Sequence, residues 1–221
     1  MTTSGQNSQS PKEPDKKLLS EGRWSNRYQI GAQDLYESKL VTGYATISRQ
    51  SLILEWESWS TDDKLEFVRA FSAKPSLTHE DERILTFLLQ QQDDRISAML
   101  AICLTAHSDK EMVFQFLTQR AEFASVDKGN YFQALAILDD KRAVPQLHRF
   151  YIENVGRLGI IEQNADVGDA FDLLMCCAAL GRLTQDQEYR NQLSVFQHHP
   201  NETISKHANA LLKIWYDAPS T

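Results

Sequence analysis

The stretch GNYFQALAILDDKRAVPQL, residues 129–147, decides the fold of this chain. Its first half is mostly apolar and predicts a short buried helix. Asp139 and Asp140 then make a tight turn, and either carboxylate can cap the helix that follows. Because Pro145 lies about one turn into that second helix, we expect a kink or a helix that begins after Lys141. The stretch predicts a helix pair, and such pairs bury their apolar faces by stacking on neighbours.

The helix-pair pattern recurs along the last two-thirds of the chain. The second helices of successive pairs are predicted to begin near Asp94, Asn130, Asp169 and Thr203, at a spacing of roughly 35 to 39 residues that is typical of two-helix repeats. We therefore expect an all-α fold, a stack of antiparallel helix pairs.

Local signals predict where several helices begin and end. Ser60 or Thr61 can cap one helix, and Thr78 with Asp81 forms a capping box for the next. Three further signals predict a cap at Ser108, a helix end at Gly181 and a capping box at Thr184 with Gln187.

Changes in amino-acid composition along the chain divide it into four segments. Residues 1–22 are polar and predict a disordered tail, and residues 23–77 predict an aromatic-rich helical cap with a helix over 48–59. The alternative for these aromatics is a binding patch. Residues 78–217 hold the repeats, and residues 218–221 form a short tail. The glycine-bearing break at 154–168 is the longest, and such breaks are often functional or mobile.

Charge and composition exclude several classes of function. The chain has 221 residues and a formal net charge of −7, which argues against a nucleic-acid partner. No apolar run is long enough to cross a bilayer, so we expect no membrane contact and a cytoplasmic location. The odd cysteine count favours buried small side chains over disulfides, at Cys103, Cys176 and Cys177.

The turn and helix at 139–147 resemble those of the short HEAT-like repeats. Residues 93–95 and 179–183 match the same repeats more weakly. The resemblance covers about 78–217 and implies a right-handed α-α superhelix of the armadillo type. Proteins of this kind mostly act as scaffolds that hold protein partners along a concave groove. Some relatives are bilin lyases, which attach tetrapyrroles to phycobiliproteins, and one curved helical group excises alkylated DNA bases. No catalytic residue of those families has a matching position here.

Motifs that would carry chemistry are missing from the sequence. It has no phosphate-binding glycine loop, and adjacent Cys176 and Cys177 project about 100° apart on a helix, which does not suit a shared metal. His207 lies in an apolar stripe and is expected in the core, whereas His198 and His199 precede a proline and are expected in solvent. We therefore predict no catalytic residue, no cofactor, no metal and no small-molecule ligand.

A set of polar residues on the second helices is the best candidate for a binding surface. They are spaced at i, i+3 or i, i+7 and are predicted to lie opposite the apolar stripes. They are Asn130, Gln133, Asp169, Asp172, Lys206, Asn209 and Lys213. We expect them to form one ridge on a concave face that binds a protein partner, and the alternative is an ordinary solvated face. The leading hypothesis is a non-enzymatic scaffold or adaptor; the alternative is a bilin-lyase-like enzyme or chaperone for a tetrapyrrole-carrying protein.

Overall fold

The computed structural model describes residues 48–156 and 167–215, apart from residues 73, 75, 92, 125 and 126. In these ranges the chain forms ten α-helices and one short 3-10 helix and contains no strand, which confirms the all-α class. The helices are α1 Arg49–Trp56, α2 Thr61–Ser72, α3 His79–Leu89, α4 Asp94–Leu104, α5 Lys110–Phe123, α6 Lys128–Leu138, α7 Val144–Val155, α8 Val167–Thr184, α9 Gln187–Phe196 and α10 Glu202–Trp215. The predicted tails at 1–22 and 218–221, the cap before residue 48 and most of the break at 154–168 lie outside the described residues.

The helices pack with partners that are close in sequence. The even-numbered helices contact one another in chain order, from α2 through α4, α6 and α8 to α10. The odd-numbered helices lie against them: α3 packs on α4, α5 on α6, and both α7 and α9 on α8. Helix α1 packs on α3. The described helices therefore bury their apolar sides mostly against near neighbours in the sequence.

The centre of the core is formed by α6 and α8. Helix α6 lies between α4, α5 and α8, and its residues 129–136 are all buried. Helix α8 contacts α6, α7, α9 and α10, and its residues 173–181 are all buried. The cysteines are free and buried, as predicted, and burial raises the pKa of the Cys176 and Cys177 thiols.

Several predicted helix starts are confirmed. Thr78 and Asp81 form the expected capping box, and Ser60 Oγ accepts a hydrogen bond from the Asp63 N–H at 3.1 Å. After α6, Asp140 Oδ1 accepts from the Arg142 N–H at 3.0 Å, and a 3-10 helix covers Lys141–Ala143. Helix α7 starts at Val144, so Pro145 lies in its first turn and removes no helical hydrogen bond.

Three predicted helix boundaries are wrong. The cap of α5 is Asp109, whose Oδ1 accepts from the Met112 N–H at 3.0 Å, one residue after Ser108. Helix α8 continues through buried Gly181 because packing extends beyond it, and Leu183 is still buried. The left-handed residue that follows α8 is Gln185, with φ of 62°, and Asp186 caps α9 by accepting from the Glu188 N–H at 2.9 Å.

Candidate protein-binding surface

The structure does not place the seven predicted ridge residues on one exposed face. Asn130 and Gln133 are only 2% and 6% exposed, because α6 is enclosed by its neighbours. Their burial corrects the prediction that they belong to an exposed ridge. Asp169 is exposed at the start of α8, and Lys206, Asn209 and Lys213 are exposed on α10. Part of that α10 surface is bonded within the chain, since Lys206 pairs with Glu202 at 2.7 Å.

Asp172 has a structural partner that its sequence position did not reveal. Its Oδ1 accepts a hydrogen bond from the backbone N–H of Gly129 at 2.6 Å, although the two residues are 43 positions apart. Asp127, the residue before α6, makes no capping hydrogen bond with its side chain. The carboxylate of Asp172 therefore caps α6 from the neighbouring helix α8.

The surroundings of Asp172 shift the ionisation of its carboxyl group toward neutral pH. Burial raises the pKa of Asp172 to about 6, the negative charges of Asp127 and Asp169 push it the same way, and the Gly129 and Lys128 N–H groups oppose the shift. The raised pKa therefore reflects chiefly the burial of the Asp172 carboxyl group between α6 and α8.

Gly129 is required by the close approach of α6 and α8. A Cβ at this position would lie 2.8 Å from two ring carbons of Phe171 and 3.1 Å from Asp172 Oδ1. Any side chain would therefore push the two helices apart or displace the aromatic ring.

Two large apolar side chains are exposed near one end of the odd-numbered helices. Phe123, at the end of α5, is 75% exposed, and Ile152, near the end of α7, is 58% exposed. The two helices run side by side in the same direction, since Gln146 Nε2 donates to the Thr118 carbonyl at 2.8 Å and Arg149 pairs with Glu122 at 3.5 Å. Phe123 and Ile152 consequently lie within about one helical turn of the same level.

The start of α6 and α8 lies at this same end. Lys128 Nζ donates to the Glu122 carbonyl at 3.0 Å, which brings Asp127 next to the end of α5. Asp127 and Asp169 lie close enough to Asp172 to raise its pKa. We name this surface the acidic-apolar edge, and its residues are Phe123, Asp127, Ile152, Asp169 and Asp172. The sequence signal for it was weak, because exposed Phe123 and Ile152 look like ordinary core residues in the sequence.

A small cavity of about 190 Å³ lies at the opposite end of α5 and α6. Arg142 forms its wall, pairing with Asp140 at 2.6 Å and with Glu111 at 2.8 Å, and its guanidinium lies 4.1 Å from the centre of the Phe114 ring. These hydrogen bonds from Arg142 lower the pKa of Glu111 and of Asp140. Because these charges are satisfied by one another, the cluster joins α5 to the turn after α6 and leaves little to recognise a ligand.

No protein-family model matches the chain, and no curated protein or solved structure shows significant similarity to it.

In the part of the chain that the structure describes, no group of His, Cys, Asp and Glu side chains is placed to hold a metal ion. No helix there is long and apolar enough to cross a membrane. Two histidines differ from expectation. His199, expected in solvent, is buried, and its Nδ1 accepts from the Asn201 N–H at 3.1 Å. His207, expected in the core, is only half-buried.

Proposed function

We propose that this chain is a non-enzymatic scaffold or adaptor that binds a protein partner, and that its helices form a right-handed HEAT-like superhelix. The superhelix is supported by the packing of α2, α4, α6, α8 and α10 in chain order. It is also supported by the regular starts of four of these helices, at residues 94, 128, 167 and 202. The HEAT-like turn at 139–147 joins two of the stacked elements.

The observation that carries the binding function is the pair Phe123 and Ile152. Soluble proteins expose single apolar side chains freely, but neighbouring large ones on adjacent helices favour a protein contact. These two side chains are exposed at a similar level on α5 and α7. The proposed binding surface is therefore the acidic-apolar edge, which retains Asp169 and Asp172 of the predicted ridge. The exposed face of α10 at Lys206, Asn209 and Lys213 stays a second candidate surface.

Partner capture by the full-length chain tests this function. We expect Phe123→Asp with Ile152→Asp to abolish the specific capture of proteins from a lysate of the source cells. Leu54→Asp is the matched control, since Leu54 is 77% exposed on α1, far along the array from this edge. Far-ultraviolet circular dichroism would check that all variants keep their helices. Equal capture by the double variant and the control would overturn the proposed surface.

A further inference from the structure

We propose that Phe123 and Ile152 bind a second copy of this chain, about a two-fold axis that runs along the seam between α5 and α7. The seam is the line of contact between these two parallel helices, where Glu122 pairs with Arg149. This inference rests on the proposed function and names the partner at that surface. It follows from the order of the side chains across the seam.

Helix geometry turns Phe123 and Ile152 to the same side of the seam. Glu122 on α5 and Arg149 on α7 face each other, since their side chains lie 3.5 Å apart. Phe123 follows Glu122 by one residue, a rotation of about 100° around α5. Ile152 follows Arg149 by three residues, a rotation of about 300° around α7, which equals about 60° in the opposite sense. Because the helices run in the same direction and face each other, opposite rotations bring both apolar side chains to one side.

The four side chains form a row that is complementary to itself. Across the seam the order of the row is Phe123, Glu122, Arg149, Ile152. Each end of the row is apolar, and its centre holds one charge of each sign. A two-fold axis along the seam reverses the order in the second copy. Phe123 then packs on Ile152 of the second copy, and Glu122 faces Arg149 of the second copy, so one surface serves both molecules.

The row is exposed enough to make these contacts. Phe123 and Ile152 are 75% and 58% exposed, and the side chains of Glu122 and Arg149 are 48% and 62% exposed. Charge-assisted hydrogen bonds are about 2.7 to 2.9 Å long. The 3.5 Å pair within one copy is longer, so a second copy adds charge contacts without breaking a strong one.

The charges at the centre of the row favour a second copy over a partner with one sign of charge. A wholly basic partner surface would place a cation opposite Arg149, and a wholly acidic one would place an anion opposite Glu122. Either arrangement opposes like charges in a surface that also has to lose water. The second copy matches both charges and covers both apolar side chains, which removes four large apolar side chains from water in the dimer.

The oligomeric state of the full-length chain tests the proposal. We expect sedimentation equilibrium to show monomers and dimers whose ratio depends on protein concentration. Phe123→Asp and Ile152→Asp should each raise the dissociation constant of the dimer at least about tenfold, because each puts a charge into both apolar contacts. Leu54→Asp, at an exposed apolar position on α1, is the matched control and should leave the constant unchanged. A chain that stays monomeric up to about 1 mM would overturn the proposal.

Charge-reversed variants test the axis itself. Glu122→Arg gives the centre of the row two positive charges, and Arg149→Glu gives it two negative charges. About an axis along the seam, each variant alone opposes like charges and should dimerise at least about tenfold more weakly. An equimolar mixture of the two variants should form a mixed dimer, and the double variant should dimerise as the unsubstituted chain does. Sedimentation velocity with one variant fluorescently labelled measures the mixed dimer.

These charge variants also serve if an aspartate at the apolar pair disturbs folding. The pair of Glu122 and Arg149 is exposed and contributes little to stability, so its reversal should leave the far-ultraviolet circular dichroism unchanged. Glu55→Arg reverses an exposed charge on α1 and is the matched control, which should dimerise normally. Equal dimerisation of the two single variants, whether alone or mixed, would show that the axis does not follow the seam and would overturn the proposal.

The outcomes separate this inference from the proposed function. If the chain stays monomeric while Phe123→Asp with Ile152→Asp abolishes capture from the lysate, the second copy is wrong and the scaffold function stands. If the chain stays monomeric and capture ignores both residues, both proposals fail. Recovery of the same chain from the lysate, lost together with the dimer in the double variant, would support both.

Discussion

Gly129 lies where the central helices α6 and α8 approach closely, and its substitution tests that packing. Gly129→Ala should destabilise the chain by about 1 to 3 kcal/mol, because the new Cβ would lie 2.8 Å from the Phe171 ring. Helix propensity alone predicts the opposite sign, since Ala is favoured over Gly by about 1 kcal/mol. Urea denaturation measures the difference. Gly156→Ala is the control, because a Cβ there meets no atom within 4 Å, and equal effects at both positions would contradict the close approach.

Asp172 makes the stability depend on pH with an unusual sign for an aspartate. The pKa of Asp172 is about 6 in the folded state, above the ordinary aspartate value of 3.8, so the folded state binds more protons than the unfolded state between these values. The contribution of Asp172 to stability is greatest below about pH 4 and is lost as the pH rises through about 6. Asp172→Asn keeps an oxygen for the Gly129 N–H and removes the charge. We expect it to gain about 1 to 3 kcal/mol at pH 7.5 and almost nothing at pH 4.

Urea denaturation at a series of pH values from 4 to 7.5 measures this effect. Glu55→Gln serves as the control, since it removes one exposed carboxylate on α1, away from Asp172. A loss of stability at pH 7.5 in Asp172→Asn would show that the helix cap prefers the full negative charge, and would contradict the expected sign.

Arg142 joins elements that are separate in the chain, because it links the start of α5 to the turn after α6. Arg142→Lys keeps the positive charge but loses the planar fork that bonds two carboxylates at once. We therefore expect Arg142→Lys and Arg142→Ala to lower the urea midpoint by similar amounts, and by less than Gly129→Ala does. The loss should shrink at high salt. Arg149→Ala, which removes a single 3.5 Å pair with Glu122, should lower the urea midpoint by less. An equal lowering would contradict the importance of the Arg142 guanidinium bonding two carboxylates at once.

Helix starts could be predicted from sequence where a side chain caps its own helix. Thr78 and Asp81 do so within three residues, and their spacing alone indicates the capping box. The end of α8 could not be predicted this way, because burial carries the helix through Gly181. The cap of α6 comes from Asp172 on another helix, and no local pattern contains that contact.

The surface of the molecule was harder to predict than its fold for a physical reason. The spacing of Asn130 and Gln133 correctly puts them on one side of α6, but only the packing of the neighbouring helices decides that this side is buried. The converse holds for Phe123 and Ile152, whose apolar character predicts burial although the ends of α5 and α7 leave them exposed. Periodicity therefore determines the helices, whereas exposure depends on the whole array.

The whole molecule should unfold as an array whose centre is more stable than its ends. Helices α6 and α8 contact neighbours on several sides, whereas α1 packs chiefly on α3. We therefore expect the amide hydrogens of α6 and α8 to exchange with solvent most slowly and those of α1 to exchange earlier, through local opening.

One variant in α1 and one in α6 test whether a loss of stability spreads only to neighbouring helices. Leu52→Ala removes a fully buried side chain of α1 and should speed amide exchange in α1 and α3, with little change in α8. Gly129→Ala disturbs the contact of α6 with α8 and should speed exchange in both central helices and in the helices that pack on them. Hydrogen exchange followed by mass spectrometry resolves these segments. If Leu52→Ala instead accelerated exchange equally in α1 and α8, the chain would be one cooperative unit, and the nearest-neighbour description of the array would be wrong.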